Sequence, residues 1–286
     1  MDRIQKLIAQ SGLCSRRKAE TLIEEGRVKI NGKVVKTLGT KASKTDTIAV
    51  DGQTIVYEEK EYFLFYKPEG CVSTTDDEKG RKTVLDFIRT NARIYPVGRL
   101  DYDTSGALLL TNDGELTNQL THPSNHIEKA YEVTVEGLLR KETSSKIARG
   151  IRIDGEKTKR AKIHDVSYDT EKLNTKLTFI VTEGKYHHVK RVFEAVGHPV
   201  KKLKRVRFAT LTLESLKKGR YRRLTPHEIK KSNFLLKRDR IKTPKSKTFS
   251  CHALLLYGFF NPKDTSMAKR LLLIFLLCQH FIHGKI

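Results

Sequence analysis

Four consecutive apolar residues, Ala107-Leu108-Leu109-Leu110, follow the polar stretch Gly98-Arg99-Leu100-Asp101-Tyr102-Asp103-Thr104-Ser105-Gly106 and run into Thr111-Asn112-Asp113-Gly114. A short apolar run bounded by turn residues reads as a buried strand. The Asn-Asp-Gly turn suits a hairpin, because these residues tolerate positive φ. Asp101 lies in the loop that enters the strand, between the basic Arg99 and a second acid, Asp103. A short loop held by a buried strand is where a scaffold can fix one carboxylate for chemistry, which makes Asp101 the candidate catalytic residue.

The charge balance narrows the partner. The 286-residue chain carries a formal net charge of +23 with 38% hydrophobic residues. It is long enough for two domains and a core. So large an excess of cations is foreign to an enzyme of small neutral metabolites and fits a polyanion, whose counterions are released on binding. Between residues 185 and 245 about twenty Lys or Arg face about four acids, a single-sign surface of the same kind. Cys14, Cys71, Cys251 and Cys278 are too far apart for a zinc site. Reduced thiols and a cytoplasmic location are expected. The first residues, Met1-Asp2-Arg3-Ile4-Gln5-Lys6, hold no apolar signal core.

In chain order, Ile4, Leu7, Ile8 and Leu13 lie at helical spacing, and Ser15 can cap a second helix with Ala19, Leu22 and Ile23 on its apolar stripe. Val28, Ile30, Val34 and Val35 flank Asn31-Gly32, a hairpin signal. Arg16, Arg17 and Lys18 crowd the start of the second helix, against its macrodipole. A bound phosphate would remove that conflict. A charged linker at 59–61 precedes a buried strand that Pro68 stops. Further strands are expected at 129–135, 158–166, 173–181, 206–213 and 221–224. Helices are expected at 115–120, 144–148 and 189–196, with another starting at Thr225-Pro226. Phe193 and Phe208 are expected in the core. Many strands with interspersed short helices give an α+β fold with a mainly antiparallel sheet. Residues 242–250 are basic and Ser/Thr-rich, so disorder is expected there. The apolar run at 271–278 is short of the ~20 residues of a membrane span.

Two sets of residues carry resemblances. Arg3-Ile4-Gln5-Lys6-Leu7-Ile8, Ser15-Arg16-Arg17-Lys18-Ala19 and Gly26-Arg27-Val28-Lys29-Ile30-Asn31-Gly32-Lys33-Val34-Val35 resemble the alpha-L RNA-binding motif. The Asp101 loop, Lys129-Ala130-Tyr131, and Glu183-Gly184-Lys185-Tyr186-His187-His188-Val189-Lys190-Arg191-Val192-Phe193 together resemble the RsuA-like branch of the pseudouridine synthases, which modify ribosomal RNA. Lys185-Tyr186-His187 looks more like the small-subunit enzymes, so a uridine of small-subunit RNA is the expected substrate and large-subunit RNA the alternative. The family pattern has Gln at the place of His188.

The resemblance implies a reaction and a set of roles. Uridine becomes pseudouridine by breaking N1–C1′, turning the uracil and joining C5 to C1′, with no net redox change, so no cofactor is implied. A carboxylate with an ordinary pKa of about 3.9 is ionised at pH 7 and can act as nucleophile at C1′ or as base at the ribose. Tyr131 would stack on the base and can take the C5 proton. Lys190 would pair with Asp101 and aim it. Arg99 would contact RNA or fill the place of a flipped nucleotide. Arg3, Lys6, Ser15, Arg16, Arg17, Lys18, Lys185 and Arg191 complete the expected RNA contacts.

The implied organisation is an RNA-binding domain at 1–58, a linker at 59–61, a catalytic domain at 62–232 and a basic tail at 233–286. The expected partner is ribosomal RNA or the assembling small ribosomal subunit. A monomer is expected, with no stable membrane association and no metal. Asp101-x-Asp103-x-Ser105-Gly106 imitates the start of a calcium loop, but Asn112 stands where a bidentate Glu belongs. Adjacent His187 and His188 point apart and make no metal pair. A non-catalytic RNA-binding assembly factor is the rival from another class, and the basic surface would serve it equally well.

Overall fold

A computed structural model describes residues 1–232; the expectations for the tail lie outside the described residues. Helices Ile4–Gln10 and Arg16–Glu24 pack on a four-stranded sheet ordered Lys33–Val35, Val28–Ile30, Ile48–Val50, Gln53–Thr54. Ile4, Leu7, Ile8, Ala19, Leu22, Ile23, Val28 and Ile48 form one apolar cluster between them. Ser15 caps the second helix by accepting the Lys18 N–H at 3.1 Å. Asn31 and Gly32 both take positive φ, the turn that the Asn-Gly pair encodes. Leu13 is 54% exposed, because the first helix stops at Gln10 and leaves it off the apolar face.

Beyond residue 60 the chain builds a nine-stranded sheet. Its main path runs Lys162–Asp169, Asn174–Val181, Lys129–Glu136, Val200–Phe208, Ser105–Thr111, Tyr62–Lys67, Tyr221–Arg223. Its pairings are antiparallel except for Val200–Phe208 against Ser105–Thr111, which is parallel. Every residue of Ser105–Thr111 is buried, so the apolar run seen in the sequence lies covered on both faces. Leu108 and Leu110 join the cluster on one face with Phe63, Phe65, Val133, Phe179 and Phe193. Ala107 and Leu109 join the other with Leu64, Leu116, Leu120 and Phe208. Phe193 and Phe208 are core residues, as their phase predicts.

Three expectations change. The Asn112-Asp113-Gly114 turn makes no hairpin. Asp113 is the N-cap of helix Gly114–Thr121 and accepts the N–H groups of Glu115 and Leu116. A strand already paired on both sides passes its chain to a helix that covers the Leu64, Leu109 face. The strand expected from residue 206 begins at Val200. The strand expected at 158–166 runs over Lys162–Asp169. The linker at 59–61 is pinned to its neighbours. Lys60 Nζ donates to Asp113, Asn112 Nδ2 donates to the Glu59 carbonyl, and Asn112 Oδ1 accepts the Glu61 N–H.

Candidate active site

The Asp101 loop is held from below by a lysine. Lys67 is fully buried at the end of Tyr62–Lys67, and its Nζ donates to the carbonyls of Pro68, Asp101 and Thr104 at 2.9–3.0 Å. Ser73 braces the same loop, accepting the Leu100 N–H at 3.1 Å and donating to the Leu100 carbonyl at 2.8 Å. Gly106 lets the loop end against the sheet: its φ is +129°, and a Cβ there would run into the Arg205 backbone of the parallel neighbour. Sequence reasoning missed Lys67. Its one signal was a charged residue closing an otherwise apolar strand.

A cleft of about 480 Å³ opens beside this loop, and Asp101, Tyr131 and Lys190 all line it. Three segments far apart in sequence thus meet at one place. Asp101 is partly exposed, with Oδ1 3.6 Å from His187 Nε2 and Oδ2 3.9 Å from Lys190 Nζ. The expected Lys190–Asp101 pair is only a loose one. Lys190 spends its hydrogen bonds on Asp103, at 2.6 and 2.7 Å, and this ammonium holds the Asp103 carboxyl below its ordinary pKa. A flexible four-carbon stem lets an ammonium settle on the more exposed of two neighbouring carboxylates. Tyr131, 8% exposed, belongs to the core cluster and also faces the cleft.

His187 and His188 turn to different acids. His187 takes the left-handed conformation, φ 48°, just ahead of helix His188–Glu194, and its ring stacks on the exposed Tyr186 at 3.8 Å. His188 is buried with Nε2 3.3 Å from Glu183 Oε2, and burial pushes its imidazole below the ordinary value. The residue standing where the family pattern has Gln therefore packs against Glu183 behind the helix start. Among the described residues no group of three His, Cys, Asp or Glu is placed to hold a metal ion.

The expected RNA contacts divide. Arg99 is exposed at the cleft rim. Lys185 also lines the cleft but pairs with Glu156, and Arg191 pairs with Asp154. Both pairs are solvent-exposed, so phosphates can replace those acids at little cost. In the first module Arg3, Arg17 and Lys18 are exposed, and Ser15 serves as a helix cap. Lys6 is held by Asp2 at 2.8 Å and Glu115 at 3.7 Å. Arg16 is exposed as well, with its guanidinium close to Gly114 and its field reaching Tyr95.

A basic two-helix module stands ahead of a sheet, mainly antiparallel, that carries the cleft. Residues 61–195 match the RNA pseudouridylate synthase family, and residues 2–48 match the S4 domain. The chain is 51% identical over 232 residues to the ribosomal large subunit pseudouridine synthase B of Bacillus subtilis, spanning 81% of this chain and 95% of that one. It is 38% identical over 235 residues to the ribosomal small subunit pseudouridine synthase A of Haemophilus influenzae, spanning 80% and 98%. A crystal structure described as pseudouridylate synthase shares 36% identity, covers 81% of this chain and 100% of that one, and superposes with a TM-score of 0.57. The chain belongs to the RNA pseudouridine synthase family, a family of isomerases, and carries an S4 domain at its N-terminal end.

Proposed function

We propose that the protein converts a uridine of ribosomal RNA to pseudouridine, with Asp101 acting on the ribose, Tyr131 on the base and Lys190 supporting the carboxylate. The observation that carries the proposal is the convergence of these three side chains, from separate segments, on one cleft. The isomerisation breaks N1–C1′ and forms C5–C1′. C5 loses a proton to the medium and N1 gains one, so atoms and electrons balance without a redox partner. Asp101 can attack C1′ or take a ribose proton; in either role it must stand beside the sugar. A phenol two strands away can lie on the uracil face and receive the C5 proton. Residues 1–58 serve as the module that grips RNA and residues 62–232 as the isomerising body, joined through 59–61.

Large-subunit RNA is the substrate we favour, because the relative sharing 51% of its residues along almost its full length is named for that subunit. The Lys185-Tyr186-His187 segment supports small-subunit RNA instead, and a relative at 38% identity is named for it. Mapping pseudouridines in both ribosomal RNAs, with and without the gene, decides: one site lost from large-subunit RNA is expected, and a loss confined to the small subunit overturns that choice. Tritium release from C5-labelled ribosomal RNA tests the site. Asp101→Asn should bring release to background while RNA binding persists; release at the wild-type rate by that variant removes Asp101 from the reaction.

A further inference from the structure

The cleft holds a second cluster of side chains that the isomerisation chemistry leaves unused. Lys129 stands two residues before Tyr131 on strand Lys129–Glu136, so both side chains share one face. Arg205 is the register partner of Tyr131 on the neighbouring strand and lies on that face too. Lys159 lines the same cleft. Among the described residues none of the three side chains pairs with an acid. Lys129 Nζ donates to the Ile127 carbonyl at 3.3 Å, Lys159 Nζ is 3.2 Å from His126 Nδ1, and Arg205 Nε donates to the Ala107 carbonyl at 2.8 Å. Arg205 is 2% exposed, and its Nη2 is buried with no hydrogen-bond partner.

Such an arrangement costs stability. A buried guanidinium N–H without an acceptor forfeits its hydration, and three converging cations repel one another. Lys129 registers the conflict: burial first, then the fields of Arg205 and Lys159, push its ammonium down to about 8. The other titratable groups facing it are His188, with Glu183 and Lys185 beside that ring. Glu183 is already engaged by His188 and by the Lys159 backbone N–H. A site shaped for stability alone would carry an acid between these cations; a bound anion supplies one.

We propose that Lys129, Lys159 and Arg205 form an anion subsite that takes a phosphodiester flanking the target uridine and so fixes the ribose relative to Asp101. This rests on reading the cleft as the uridine-isomerising site, and deepens it. A phosphodiester matches the cluster better than a uracil carbonyl does, because only a charged group offsets the mutual repulsion of the cations. Filling the subsite restores the proton-holding power of Lys129. RNA affinity then falls as pH rises past the free-protein value of about 8, because binding must first return a proton to the amine.

The test compares binding of an RNA fragment carrying the target uridine with fragments in which either flanking phosphate is a neutral methylphosphonate. For the wild-type protein, one of the two replacements should weaken binding about tenfold. In Lys129→Met the same replacement should cost nothing further. Wild-type affinity should fall about tenfold between pH 7 and pH 9, and Lys129→Arg, charged throughout, should keep the methylphosphonate penalty and lose the pH dependence. Equal penalties in wild type and Lys129→Met at both positions overturn the subsite. So does a Lys129→Arg protein that keeps the wild-type fall with pH, an arm that stands even if the methionine variant fails to fold. Tritium release by the wild type on the unmodified fragment is scored alongside. If release is absent, the uridine reading fails; if it is present, the binding arms judge the subsite alone.

Discussion

Lys67 does for the Asp101 loop what a disulfide or metal does elsewhere: one ammonium ties three backbone carbonyls together in a place water does not reach. Burial lowers its pKa, and the fields of Cys71, Glu69, Asp101 and Asp103 oppose that shift. Lys67→Met keeps the bulk and removes the charge, stranding the carbonyls. The expected cost is about 3 kcal/mol of unfolding free energy, hence a Tm lower by roughly 6–12 °C. An unchanged melting curve would show that the carbonyls find other donors. Lys190 and Asp103 set a second residue-level expectation. Because Lys190 bonds Asp103 more closely than Asp101, the two partners should separate in kinetics. Lys190→Met should slow single-turnover isomerisation about a hundredfold, and Asp103→Asn less than about tenfold, since the ammonium then turns to Asp101. Equal losses would mean that Asp103, too, acts on the reaction. At this scale the motifs single out the carboxylate, the phenol and the ammonium that the fold brings to one cleft. The sequence hid Lys67, Lys129 and Arg205, because a lysine or arginine is ordinarily a solvated charge and only the packed fold shows where its donors point.

The elements fold as their local chemistry directs, except where a neighbour overrules it. Thr225 and Glu228 form a reciprocal cap at the start of the helix over 226–232, as the Thr-Pro signal suggests. Strand Val200–Phe208 was half hidden, because Lys201, Lys202, Lys204, Arg205 and Arg207 break the apolar alternation. Pairing on both edges and the burial of Leu203 and Phe208 make it a strand all the same. Asp113 is the instructive case. Asn-Asp-Gly fits a hairpin and a helix start equally well, and helix Gly114–Thr121 wins because Leu116 and Leu120 have an apolar face to cover. Asp113 is also held by Lys60 and Tyr62, and these hydrogen bonds with the helix N–H groups outweigh burial, drawing its carboxyl below the ordinary pKa. Asp113→Ala should therefore cost about 2 kcal/mol, more than an isolated cap. The pH dependence follows in sign. Between the folded pKa and the unfolded value of about 3.9 the unfolded chain holds more protons, so this stabilisation is complete above that window and lost as pH falls through it. Asp113→Asn keeps the cap and removes the titration, so its Tm should fall less steeply than that of wild type below pH 4; parallel curves would place the acid sensitivity elsewhere.

Across the whole molecule, a charge of +23 divides into grips of different kinds. Cations of the cleft act next to the chemistry. Arg17 and Lys18 stand exposed at the start of helix Arg16–Glu24, where their charges oppose the helix dipole until a phosphate arrives. Arg16 beside them lies close to Gly114, and the pinned linker joins the module to the larger sheet. On the proposed function the module presents RNA to the cleft, which places its contribution in binding and not in the rate of bond exchange. Replacing Arg17 and Lys18 by Ala while keeping Arg16 should weaken RNA binding for any sequence. The slope of log affinity against log salt should become shallower by about 1.4–1.8, the value for two phosphate contacts. At saturating RNA the single-turnover rate should stay at the wild-type level, because Asp101, Tyr131 and Lys190 are untouched. A rate that drops at saturation, with the salt slope unchanged, would assign these two residues to placing the uridine rather than to holding the strand, and would make the S4 domain part of the active site's geometry.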